Sequence, residues 1–124
     1  KKKIKEAISN LSTIHLRDFY DEKGSQGDTL IFSLDSPEKA QSFERKFVSH
    51  GYGTKILPEA IDWHFAGVWN HILPNYEYYK DVDLNENFSK TGSLLKRSIC
   101  LNIPVLMNED EIEKFIDAIK VSLK

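Results

Sequence analysis

Between Thr29 and Gly51 the apolar residues change period, and that change restricts the chain to folds in which a strand feeds directly into a helix. In Thr29-Leu30-Ile31-Phe32-Ser33-Leu34, alternate residues fall on opposite faces, with Leu30, Phe32 and Leu34 together on one of them. Asp35-Ser36-Pro37 then opens a helix. Ser36 can accept from orphan amides as N-cap, and Pro37 suits the first helical position. Ala40, Phe43, Phe47 and Val48 make the expected buried stripe, and Gly51 a C-terminal stop.

The flanking segments extend this pattern. Residues 1–11 read as a helix through Ile4, Ala7, Ile8 and Leu11, with no capping residue before it. Residues 13–21 read as a strand, and the glycine-bearing turn 22–28 joins it to Thr29 as a hairpin. A short strand is expected at 54–57 and a short helix through Ile61, Phe65, Val68 and Ile72, ended by Pro74. Residues 81–93 read as polar loop, and 94–98 as a short helical or extended entry to an apolar strand over 99–105. Pro104 must sit at that strand's edge or end because it cannot donate to a ladder. The last helix carries the clearest signals. Asn108 and Glu111 stand in capping-box relation, and Ile112, Phe115, Ile116, Ile119 and Leu123 share one face. Three or four short strands in a mostly antiparallel sheet, with helices packed on one face, define an α+β two-layer sandwich.

The length of 124 residues fits one domain, residues 1–124. Its expected core includes Ile31, Phe32, Phe43, Phe47, Ile103, Phe115 and Ile116. The uncapped start reads as a piece cut from something longer, the alternative being a processed or tagged N-terminus. With a net charge of -2 and acids and bases interspersed, the chain lacks the basic stripe of a nucleic-acid partner. Cys100 is the only cysteine, so no intrachain disulfide forms, and in Ile99-Cys100-Leu101 it reads as a small buried hydrophobe. Without a signal peptide, sequons at Asn10 and Asn87 carry little weight, and no apolar run has membrane-spanning length. A reducing, cytoplasmic setting is the simplest expectation.

The candidate site is the run Trp63-His64-Phe65-Ala66-Gly67-Val68-Trp69-Asn70-His71. Aromatic faces stack on sugar rings or cofactor planes, and histidine and asparagine hydrogen-bond hydroxyls. The competing reading of both tryptophans is plain packing. Arg97 offers a fork for a carboxylate or phosphate, or a surface salt bridge. Glu59 and Asp62 are close enough in sequence to pair as acid and base, though solvated residues at a helix start would look the same. His64 and His71, seven apart, would share one helix face, but two ligands do not close a zinc site, and no metal is expected.

Several stretches together resemble one family. Gly27-Asp28-Thr29-Leu30-Ile31-Phe32-Ser33-Leu34, the helix end Phe47-Val48-Ser49-His50-Gly51, and Gly53-Thr54-Lys55-Ile56-Leu57-Pro58 resemble the C-terminal small domain of the DegT/DnrJ sugar aminotransferases. These are fold-type I enzymes dependent on pyridoxal phosphate. The close of the chain also resembles theirs, although Leu101-Asn102-Ile103-Pro104-Val105 displaces the family's usual order. The stretch 57–66 departs from commoner members and looks more like those acting on acidic or nucleotide-linked sugars, such as an octulosonate of bacterial lipopolysaccharide.

The resemblance implies that pyridoxal phosphate is held in the parent enzyme by a lysine of a preceding large domain, with no catalytic and no cofactor-binding residue in this chain. It further implies that Trp63, His64, Asn70 and Arg97 face a keto-sugar substrate in a pocket this domain helps to close. The partners it implies are the chain's own large domain, an amino donor and a second copy of the parent. The reading from another class is a stand-alone α+β binding or regulatory module without enzymatic activity.

Overall fold

The computed structural model describes residues 1–25, 27–56 and 65–124. Four strands, β1 (His15–Leu16), β2 (Thr29–Ser33), β3 (Thr54–Ile56) and β4 (Ser98–Asn102), form one antiparallel sheet in the order β1-β2-β4-β3. Among the described residues the α-helices are α1 (Lys2–Ile8), α2 (Pro37–Ser49), α3 (Leu84–Asn87), α4 (Ser89–Lys96) and α5 (Glu109–Ser122). This is the α+β architecture expected.

The register puts the core on one side of the sheet. Phe32 lies opposite Ile99 and Leu30 opposite Leu101, so all four side chains point the same way. They are fully buried beneath Ile4 and Ile8 of α1, Ala40, Phe43 and Phe47 of α2, and Phe115, Ala118 and Ile119 of α5. Phe47 is the hub of this layer. Its ring stacks on Phe43 at 5.2 Å and on Tyr52 at 5.2 Å, and meets Phe115 edge-on at 5.4 Å.

The local signals set where the long helices begin and end. Ser36 accepts from the Lys39 amide at 3.3 Å, and Gly51 stops α2 with a φ of 85° that a side chain would resist. At α5 both arms of the capping box close. The Glu111 amide donates to Asn108 Oδ1 at 3.0 Å, and the Asn108 amide donates to Glu111 Oε2 at 2.8 Å.

Several expectations need correction. Val48 is exposed, since it points away from the sheet one residue past Phe47. Ile31 is half-buried on the opposite face, level with Cys100 and Lys55, and lies outside the core; Ile116 is only partly buried against it. The first strand is two residues long rather than nine. After Leu16 the Arg17 amide still donates to the Ile31 carbonyl at 3.0 Å, and the pairing stops there. The first helix likewise ends at Ile8, three residues short of Leu11. β4 ends at Asn102, so Pro104 lies beyond the ladder, as its missing N–H requires.

Residues 81–93 are largely helical rather than loop. Asp83 caps α3 by accepting from the Asn85 and Glu86 amides, and Leu84 beneath it is buried. Of the helix expected through Ile61, Phe65, Val68 and Ile72, Ile61 lies outside the described residues, and the described part is instead a chain of 3₁₀ turns at Ala66–Val68, Leu73–Asn75 and Glu77–Tyr79. Pro74 sits inside the second turn, where its fixed φ is tolerated.

Candidate functional site

β3 delivers the chain at Ile56, which lies opposite Ile99 of β4. The chain is picked up again at Phe65, whose buried ring meets Phe88 edge-on at 6.2 Å. Gly67 and Gly92 make room for that ring. A Cβ on Gly67 would lie 2.4 Å from Phe65 Cε1, and one on Gly92 would lie 3.2 Å from Phe65 Cζ. Phe65 thereby ties the 3₁₀ region to α4, the helix that ends immediately before Arg97.

Trp63 and His64, like Glu59 and Asp62, lie outside the described residues. Asn70 is exposed, in the turn that follows Ala66–Val68. His71 is also exposed, and its carbonyl accepts from Asn75 Nδ2 at 3.2 Å. Trp69 is half-buried. Because the residues after Phe65 form 3₁₀ turns, His71 is on no α-helical face that it could share with a residue seven positions earlier.

Arg97 has a structural task that its sequence context did not reveal. Its guanidinium Nη1 donates to the Leu34 carbonyl at 2.9 Å, while its own carbonyl accepts the Leu34 amide at 2.9 Å. The pair extends the β2–β4 ladder by one rung and secures the point where α4 becomes β4. An arginine fork carries five donors, and this contact takes one. Beside it, the buried Ser98 hydroxyl donates to the Leu94 carbonyl at 2.7 Å.

Among the described residues no cluster of three or more His, Cys, Asp or Glu side chains has metal-site geometry. Every lysine of the chain is exposed or half-buried. Lys55 in particular is an exposed strand residue. Cys100 is buried on the sheet face away from the helices, and desolvation pushes its thiol pKa up. That shift suppresses the thiolate, the form a nucleophile needs.

The fold defined here is a two-layer α+β domain in which β4 separates β2 from β3 and three helices cover one face. It also occurs as part of a longer chain. The structure described as "Putative sugar aminotransferase Spr1654 from Streptococcus pneumoniae", in its PMP form, matches with a TM-score of 0.67 and 16% identity. The apo form of the same protein matches with a TM-score of 0.58 and 17% identity. Each match takes in 98% of this chain and 28% of the other, so the chain spans a little over a quarter of the neighbour's length. No family model matches the sequence. At such identities the likeness establishes the fold. No helix of the described residues is long and apolar enough to cross a membrane.

Proposed function

We propose that this chain is the C-terminal small domain of a cytoplasmic, pyridoxal-phosphate-dependent sugar aminotransferase of the DegT/DnrJ kind, and that it helps to close the pocket over a keto-sugar. The observation that carries this reading is the fold match over nearly the whole chain to part of a protein described as a sugar aminotransferase and seen with pyridoxamine phosphate. The residue pattern around Gly27–Leu34 and Gly53–Pro58 supports it independently.

In this reading the cofactor belongs to the parent's large domain, where it carries the amino group between donor and sugar. This chain's share is substrate orientation and exclusion of water. Trp63 offers an aromatic face to the sugar ring, and His64 and Asn70 offer hydrogen bonds to hydroxyls. Arg97 holds the start of β4 through Leu34, and its remaining donors suit the anionic group of an acidic or nucleotide-linked sugar. The parent works as a homodimer, and its product serves a bacterial surface polysaccharide such as lipopolysaccharide.

Replacing His64 by Ala in the full-length enzyme tests the assignment. Loss of a hydroxyl contact is expected to lower kcat/KM for the keto-sugar by about tenfold, with cofactor loading intact. Unchanged amination kinetics would remove His64 from the site.

A further inference from the structure

A cleft of about 250 Å³ opens between α1 and the connection that follows Leu16. Lys1, Lys2 and Lys5 line one wall, and Phe19, Glu22 and Ser25 the other. Three cations converge on the Phe19 ring. Lys1 Nζ stands 4.7 Å from its centroid, the Arg17 guanidinium carbon 4.7 Å and Lys5 Nζ 5.3 Å. Lys1 Nζ also donates to Ser25 Oγ at 2.7 Å. Among the cleft-lining residues a single carboxylate, Glu22, faces them, accepting from Lys5 Nζ.

Lys2 pairs with Glu6 at 3.9 Å and Lys5 with Glu22, so the charge left here without an ion pair among the described residues is that of Lys1 and Arg17. The Glu22 carboxyl reports it: the Lys5 hydrogen bond and charge hold its pKa down, and the charges of Lys1 and Lys2 lower it further. Cations gathered around one point repel one another unless an anion joins them. A planar carboxylate offers two oxygens along one edge, whereas a phosphate presents several oxygens in different directions and a charge near minus two. The second description suits ammonium and guanidinium groups arriving from separate elements.

We propose that this cleft is a phosphate-binding site, formed by Lys1 and Lys5 beside Phe19, with Arg17 on the same ring adding charge, and with Glu22 as the internal competitor that an incoming phosphate displaces from Lys5. The ring of Phe19 is already occupied by cations, so recognition rests on charge rather than on stacking. The site does not depend on the aminotransferase reading and stands or falls separately from it.

The test is a titration of the ¹⁵N-labelled 124-residue chain with inorganic pyrophosphate at low salt, followed by amide shifts. Saturable shifts are expected at Phe19, Glu22 and Ser25, with a Kd of ~1 mM or below. Lys5→Gln should weaken binding by about tenfold, the worth of one charge-assisted contact. Glu22→Gln should tighten it several-fold, a gain that damage to the fold would not produce. Lys90→Gln, on the far helix α4, should leave it unchanged. Uridine diphosphate in a parallel arm separates the sources. Binding tighter by about tenfold than pyrophosphate marks a nucleotide as the ligand, and equal binding marks an inorganic or simple ester phosphate. Absence of saturation at about 10 mM pyrophosphate, shifts spread equally over the lysines of α5, or weaker binding by Glu22→Gln would overturn the proposal.

Discussion

Phe65 shows how single residues organise the second half of this chain. Its ring occupies space left by two missing side chains, Gly67 and Gly92, on separate elements. Gly67→Ala would place a methyl inside the ring's contact distance and should cost roughly 1–3 kcal/mol, read by urea denaturation. Gly92→Ala, with a 3.2 Å approach, should cost less, because a shift of a few tenths of an ångström relieves it. Cys100 gives a pH-dependent prediction. Burial raises its pKa above the ordinary 9.0, so the folded state holds the proton more tightly than the unfolded state does. The contribution to stability is complete below about pH 9 and is lost as pH rises through the folded value. Comparing denaturation of the chain with that of Cys100→Ala from pH 7 to pH 10 should show the native protein losing ground at the alkaline end. At neutral pH its thiol should react with a disulfide reagent several-fold (~) more slowly than free cysteine. Equal rates would contradict the burial.

At the scale of elements, α2 and α5 carry the fold. Asn108→Ala removes half of the capping box and should cost about 1 kcal/mol, seen as a fall in the denaturation midpoint at unchanged m-value. Phe47→Ala removes the ring that joins α2, Tyr52 and α5, and should cost about 3–5 kcal/mol, enough to unfold much of the population at physiological temperature. These elements were legible in the sequence because their determinants are local: Ser36, Pro37 and Gly51 around one helix, Asn108 and Glu111 at the other. α3 and α4 were not legible. Leu84 and Gly92 are their only fully buried residues, and the Phe65 ring against which Gly92 packs lies more than twenty positions away in the sequence. A polar stretch such as 81–93 shows no periodic stripe when so few of its positions face inward. The structural role of Arg97 was hidden for a similar reason. Its partner is a backbone carbonyl 63 positions away, and backbone acceptors leave no mark in the residue pattern.

For the whole molecule, the sequence pattern and the architecture lead to the same place by different routes. A strand-helix-strand unit with β4 placed between its strands, covered on one face by α1, α2 and α5, is a complete layer pair with its own core. The chain spans a little over a quarter of the fold neighbour's length. The proposed function divides the labour between a larger protein that carries the chemistry and this domain, which would shape the substrate side. Borohydride reduction of the full-length gene product loaded with pyridoxal phosphate, followed by peptide mapping, examines that division of labour directly. The account predicts one covalently labelled lysine in a peptide that lies outside residues 1–124. A labelled lysine within these residues, or a full-length product that takes up no cofactor at all, would contradict it.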